Sequence, residues 1–347
     1  CRDRLSVFLE GRVIGITGSV GKTSTKDLVL AVLRSKYANS HGPEKSLNND
    51  IGVPVTIINA PDACDALVLE MGMRGLGEIA RLCVVGHPQI GVITEVGDAH
   101  SERVGGIEGV VRAKAELLQA IPASGVAIVN SDSVNAMKTA HGISARVMTF
   151  GSSESASVRW EIVSTDESGC CTVRFTAGDE SAVGVVPLPG IHMASNAASA
   201  VAVGITCGIG IEQCVEALSN TQSASQRMQW VAGRNGIRIL DDSYNANPIS
   251  VAAALRTVAE MPAKRRFAVL GVMAEVLDSD VAHQEIATLC QQLGIELLAL
   301  ETDLYGTDAL SLADVASNLI GLDSNTVVLV KGSRVAATER VVQELTA

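Results

Sequence analysis

Along most of this chain, short β-branched runs alternate with segments whose apolar residues recur every three or four positions, the pattern of strands covered by helices. Val13-Ile14-Gly15-Ile16-Thr17 reads as the first buried strand; past Gly18-Ser19-Val20-Gly21, helical periodicity runs through Leu28, Val32 and Leu33. Further strands are read at Ala66 to Leu69, ending in Glu70, at Ile90 to Thr94, running into Glu95-Val96-Gly97-Asp98-Ala99-His100, and at Ala127 to Asn130. Ile107 to Ala120 reads as an amphipathic helix carrying Lys114 and Glu116, whereas His41 to Pro54, with adjacent amides at Asn48 and Asn49, reads as a turn-rich polar loop of the kind that carries contacts.

The pattern then changes. Val158 to Val163, Cys171 to Thr176 and Ala182 to Pro187 follow one another as strand-like runs without intervening helices, which predicts a small antiparallel meander attached to a parallel sheet. A helix of small residues starts at Asn196. Ser219 to Gln226, rich in Ser and Gln, carries the best boundary signal. Beyond it, strands at Arg238–Leu240, Phe267–Leu270, Glu296–Leu300 and Thr326–Val330 alternate with helices at Ser250–Glu260, Ala282–Gln292, Leu310–Leu319 and Val335–Leu345. The expected architecture is α/β in two domains: residues 1–222, a mostly parallel sheet with the meander, and residues 223–347, doubly wound.

Composition narrows the function classes. Hydrophobic residues make up 47% of the 347 positions and aromatics only 3%, so the cores must be built from Ala, Val, Ile and Leu, as in sheets covered on both faces. A formal charge of −11 disfavours general binding to nucleic acid or anionic membrane, and no apolar run reaches the ~18 residues of a membrane span. None of the eight cysteines falls in a C-x-x-C pair, which predicts small apolar fillers in a reducing, cytoplasmic compartment and no zinc site. The start at Cys1, about a dozen residues before the first strand, reads as part of something longer.

Candidate chemistry centres on Val13 to Thr25. A strand passing through glycines into a helix N-terminus presents backbone N–H groups to an anion, Lys22 would neutralise outer phosphates, and the Thr23 hydroxyl would ligate Mg2+. The spacing departs from G-x-x-x-x-G-K-[ST], since Ile16 stands five before Gly21. The alternative is a glycine turn with an incidental lysine. Glu70 and His100 lie just past strand ends, where a ligand crevice forms, and read together as metal ligands; singly, each reads as a solvated acid or a satisfied loop histidine.

Thr17 to Thr23, Asn48-Asn49-Asp50-Ile51-Gly52-Val53-Pro54, Ala99-His100-Ser101-Glu102, Ala113 to Glu116, Gly190-Ile191-His192 with Asn196-Ala197, Asp241 to Pro248 and Val330 to Arg334 occur in an order that resembles the Mur ligases. The resemblance covers nearly the whole chain, and is nearest to the branch that adds D-alanyl-D-alanine. It implies a P-loop central domain and a Rossmann-like C-terminal domain, without the domain that grips the UDP-sugar. The implied activity joins the carboxylate of a UDP-linked muramoyl tripeptide to the amine of D-alanyl-D-alanine, using ATP and two Mg2+ ions, through an acyl phosphate. On that resemblance Thr17, Gly18, Ser19, Val20, Gly21, Lys22, Thr23 and Ser24 hold ATP, joined by His192 and Asn196 on the adenine side and by Arg227, Asp242 and Asn245. Thr23, Glu70, His100 and a carbamylated Lys114 hold metal; an unmodified Lys114 paired with an acid on its own helix stands as the other reading. Lys22, Lys114, His100 and Arg227 are the implied catalytic set, and Asn48, Asn49, Lys331, Ser333 and Arg334 the implied substrate contacts, the last three also readable as a helix-capping cluster.

Departures are Glu95 in place of asparagine, which would bring a second carboxylate to the metal and phosphates, Val272 in place of an acid, and Gln226 in place of glycine. Two rival readings stand beside this one: a folylpolyglutamate synthase-like ligase, and a weakened nucleotide-binding paralogue serving as a scaffold. A monomer without nucleic-acid partners is expected.

Overall fold

The computed structural model describes residues 11–97, 101–221, 225–274 and 276–346. Contacts divide the chain into one unit of residues 1–164, 171–187 and 192–222, and a second of residues 165–170, 188–191 and 223–347.

In the first unit eight strands form one sheet in the order β2-β1-β3-β4-β5-β6-β7-β8. They are β1 Val13–Thr17, β2 Leu67–Glu70, β3 Ile90–Ile93, β4 Val126–Asn130, β5 Arg146–Gly151, β6 Val158–Thr165, β7 Cys170–Ala177 and β8 Glu180–Pro189. Pairing is parallel from β2 through β6. The β6–β7 and β7–β8 connections are too short for a crossover, so the chain returns antiparallel, and the expected meander is the far edge of the same sheet. β1 is flanked by β2 on one side and β3 on the other, so chain direction across the sheet reverses there, and the crevice at its C-terminal end is the natural ligand position. Ile16 pairs with Glu70 and Thr17 with Ile93, which brings three strand ends level.

The helix Lys22–Arg34 buries Leu28, Val29, Leu30, Val32 and Leu33 and packs on the helix His192–Thr206. That partner meets it at Gly204, where a Cβ would come within 2.6 Å of Val32 Cγ1, so the absence of a side chain allows close approach, and each buried Leu or Val is worth roughly 1.5–3 kcal/mol.

The second unit holds β9 Gln229–Ala232, β10 Arg238–Asp241, β11 Arg265–Leu270, β12 Glu296–Ala299 and β13 Thr326–Lys331, in the order β12-β11-β13-β10-β9. All pairs are parallel except β9 with β10. The helix Pro248–Glu260 opens on a capping box, Asn247 accepting from Ser250 N while the Ser250 hydroxyl accepts from Asn247 N. The loops after β10, β11 and β13 therefore emerge side by side at the sheet's C-terminal edge.

Three differences from the sequence reading stand out. Gly52–Asn59 is a helix, where a loop was expected through Pro54; proline in a first turn lacks only an N–H that has no helical partner. The strand β5 was not foreseen. The expected helix Val335–Leu345 is a 3-10 turn Arg334–Ala336 and a helix Glu339–Thr346, separated where Ala337 adopts φ 46°.

Candidate nucleotide and metal site

Gly21 closes the loop between β1 and its helix with φ 84°, a conformation that suits glycine, and a Cβ there would come within 2.6 Å of Asn196 Oδ1. Asn196, expected on the adenine side, thus packs against the phosphate loop, its amide also near Met193 Sδ at 3.5 Å. His192 begins the same helix. Lys22 Nζ donates to Gly18 O at 2.7 Å, curling over the loop. Thr23 donates to Glu70 Oε2 at 2.9 Å, and Glu70, 1% exposed, also accepts from Asn48 Nδ2 at 2.8 Å. Ser24 follows in the first helical turn.

The loop is held from the β3 side by Glu95 and by Thr94 and Gly97, which the sequence did not single out. Ser19 N donates to Glu95 O at 2.6 Å, Ser19 Oγ to Gly97 O at 2.8 Å, and Val20 bridges Glu95. Thr94 Oγ1 lies 2.6 Å from Val20 O and 3.3 Å from Thr17 O. The Glu95 carboxylate accepts from Ser133 Oγ at 2.5 Å and Val96 N at 2.9 Å, so one of its oxygens is committed to the start of the helix Val134–Lys138. Ser46 also escaped the sequence reading; its hydroxyl is 3.1 Å from Thr23 Oγ1. The signals that could have drawn attention were a threonine ending a strand and a serine two residues before the amide pair.

Lys114 is 2% exposed on the helix Ile107–Ala120. Burial first, and then the Lys22 charge, push its ammonium well below the usual lysine range, with no acid among the influences. The alternative of an acid partner on its own helix does not hold: Glu116 accepts from Gly77 N at 2.6 Å and Ala80 N at 3.0 Å, capping the helix Glu78–Gly86. Asn49 has a similar local role, Oδ1 accepting from Gly52 N at 2.9 Å. His100 lies outside the described residues. Among the described residues, no group of three or more His, Cys, Asp and Glu side chains is placed to hold a metal.

In the second unit, Lys331 is buried and donates to Asp242 Oδ2 at 2.5 Å and Asn245 O at 2.8 Å, bringing together three residues that the sequence had divided between nucleotide and substrate. Arg227 stacks on the Tyr244 ring at 4.1 Å. Ser333 Oγ accepts from Ala274 N at 2.7 Å and its N–H donates to Val272 O at 3.0 Å, so the position expected to lack an acid is tied through backbone. Ser333 precedes the 3-10 turn without capping it by its side chain, and Arg334, exposed, pairs with Glu339 at 3.4 Å.

Comparison with known proteins agrees with this geometry. Residues 16–204 match the Mur ligase middle domain and residues 226–347 the Mur ligase, glutamate ligase domain. The chain belongs to the Mur ligase family. The UDP-N-acetylmuramoyl-tripeptide–D-alanyl-D-alanine ligase of Mycobacterium tuberculosis is 38% identical over 83% of the chain, and that of Escherichia coli 32% identical over 96%. The chain spans 58% of the length of the former and 76% of the latter. Among solved structures, MurF ligase from Thermotoga maritima in complex with ADP superposes with a TM-score of 0.88 at 26% identity, over 99% of this chain and 81% of that one. No helix among the described residues of this Mur ligase is long and apolar enough to cross a membrane.

Proposed function

We propose that this chain activates a carboxylate with ATP and joins it to an amine, adding D-alanyl-D-alanine to a UDP-linked muramoyl tripeptide in peptidoglycan precursor synthesis. The observation that carries this reading is the convergence of a glycine phosphate loop, the Thr23–Glu70 pair and Lys22 at the β1 switch point, in a chain whose named relatives are ligases of that type. Residues 1–222 are assigned as the central ATP-binding domain and 223–347 as the C-terminal domain. ATP and a UDP-linked substrate support a cytoplasmic site of action.

The residues present fit a metal-bound polyphosphate. Thr17 Oγ1 is buried without a partner among the described residues, and Lys22 makes the surroundings cationic. Thr23, Glu70 and Ser46 offer the hard oxygens Mg2+ prefers, with room for water and phosphate oxygens in its shell. When bound, Mg2+ would neutralise charge on the phosphate oxygens. Thr23 and Glu70 would hold it, and Lys22 and the loop amides would hold the β and γ phosphates.

Phosphoryl transfer of this kind is mostly positioning and charge neutralisation. A carboxylate oxygen attacks the γ-phosphorus and ADP leaves; the dipeptide amine then attacks the acyl carbon, and phosphate leaves with the former carboxylate oxygen as a proton is lost from nitrogen. Burial moves Lys114 toward its free amine, the form that adds CO2 and loses a proton to become a carbamate; we assign it that modification and a second Mg2+. Arg227, Asp242 and Asn245 are assigned to nucleotide, and Asn48, Asn49, Lys331, Ser333 and Arg334 to the peptide substrates.

The test is phosphate release by the protein carrying this chain. Release that requires ATP, Mg2+, UDP-muramoyl tripeptide and D-alanyl-D-alanine together, and is lost in Lys22→Ala, supports the proposal. Intact ATP binding without dipeptide-dependent release would favour the scaffold reading.

A further inference from the structure

Lysine is rarely enclosed, because burying an ammonium without partners is costly. Lys26 is nonetheless only 2% exposed, on the helix Lys22–Arg34, one turn beyond Thr23. Its Nζ donates to Pro43 O at 2.7 Å and lies 2.8 Å from Asp27 Oδ1. Pro43 belongs to an arc that begins where His41 joins the sheet edge, its N–H on Ala66 O at 2.9 Å and its carbonyl accepting from Val68 N at 2.8 Å. The arc ends where Asn48 O accepts from Gly72 N at 2.8 Å and Asn48 Nδ2 reaches Glu70 Oε1. Between these backbone anchors, the Lys26 ammonium ties the arc to the helix that carries Thr23, and Ser46 comes to 3.1 Å from the Thr23 hydroxyl.

We propose that Lys26 is a positioning residue and Ser46 an additional metal-facing hydroxyl: Lys26 holds residues 41–48 at the height where Ser46 joins the oxygen set of Thr23 and Glu70 and Asn48 Nδ2 braces Glu70. This rests on reading that set as the Mg2+ site. Methionine at position 26 fills similar volume without the donor, and Asp27, 25% exposed, can take water in place of the ammonium. The substitution leaves Pro43 O without its partner, so the consequence falls on the arc.

The experiment uses Lys26→Met and Ser46→Ala in the full chain, with two readouts: amide hydrogen exchange across residues 41–48, and the gain in affinity for a fluorescent ADP analogue on replacing EDTA with Mg2+. In K26M, exchange in the arc is expected to rise about tenfold and the Mg2+-linked gain to fall about tenfold, with affinity in EDTA within about twofold of the parent. In S46A, exchange stays at the parental level while the gain falls at least about threefold. Parental exchange in the K26M arc, or loss of its far-UV circular dichroism, overturns the positioning role; a full gain in S46A overturns the Ser46 assignment. A parent with no Mg2+-linked gain removes the metal reading itself, while the exchange data still decide whether Lys26 holds the arc.

Discussion

Alanine at position 18 would place a Cβ 1.9 Å from Thr94 Oγ1, far inside contact, with Glu95 O at 3.1 Å and Thr94 Cβ at 3.2 Å. Thr94 must swing away, giving up its bond to Val20 O. Overpacking of this kind costs roughly 1–3 kcal/mol and the lost hydrogen bond about 1, so Gly18→Ala is expected to destabilise by about 2–4 kcal/mol. Thr94→Ala alone loses the bond and a methyl contact, about 1–2 kcal/mol. With both changes the hydroxyl clash is gone and only the two looser contacts remain, so the double variant should fall short of the sum by about 1–2 kcal/mol. Urea unfolding in a Trp230→Phe background, where Trp160 alone reports on the first unit, measures the cycle. The affinity for ADP should show the same ordering, because the bond that is lost shapes the phosphate loop. Costs that add within about 0.5 kcal/mol would refute the claim that Thr94 is what requires glycine at 18.

Three further outcomes follow from the geometry. Gln226 adopts φ 63°, a conformation that costs a side-chain-bearing residue about 1–2 kcal/mol; after the entropy glycine adds to the unfolded chain, Gln226→Gly should stabilise the second unit by about 0.5–1 kcal/mol in thermal unfolding. His283 is buried with Nε2 accepting from Met273 N at 2.8 Å and Nδ1 donating to Ser279 O at 2.6 Å, and burial lowers its pKa from 6.5. The unfolded chain then binds the proton more readily, so stability present above pH 6.5 falls as pH is lowered through that value, by at most about 1.4 kcal/mol per pH unit, and His283→Gln should flatten the profile. Lys114, also lowered, gives the corresponding trend at high pH: stability rises with pH toward 10.5 as the unfolded chain loses its proton, so the advantage of Lys114→Met at pH 7 should shrink when melting is repeated at pH 9 and 10.

Much of this molecule could be read before its structure because local pattern and tertiary placement agree. Ile107–Ala120 is a helix with those bounds, and the loop from Thr17 to Thr23 joins a strand and a helix as its glycines require. The helix Gly52–Asn59 was hidden by Pro54 and by an outer face carrying exposed Ile51, Val55 and Ile58, which blurs amphipathic periodicity. β5 begins with exposed Arg146 and Val147, so no buried run announces it. Within the site, Lys22, Thr23 and Glu70 were legible from their positions at strand and helix ends. Thr94, Ser46 and Lys26 were not, because each acts on a loop distant in sequence: on Val20, Thr23 and Pro43 respectively. Glu95 shows the same limit, since its identity gave its charge but only the fold gave its partner, Ser133.

The central claim, that ATP activates a carboxylate, is tested most directly by isotope transfer. UDP-muramoyl tripeptide labelled with 18O in its terminal carboxylate is incubated with the protein carrying this chain, ATP, Mg2+ and D-alanyl-D-alanine, and the inorganic phosphate is analysed by mass. An acyl-phosphate route delivers one 18O to each phosphate, matched by one amide formed. Phosphate carrying no 18O, its one new oxygen taken from water, with ADP still produced, would contradict the account.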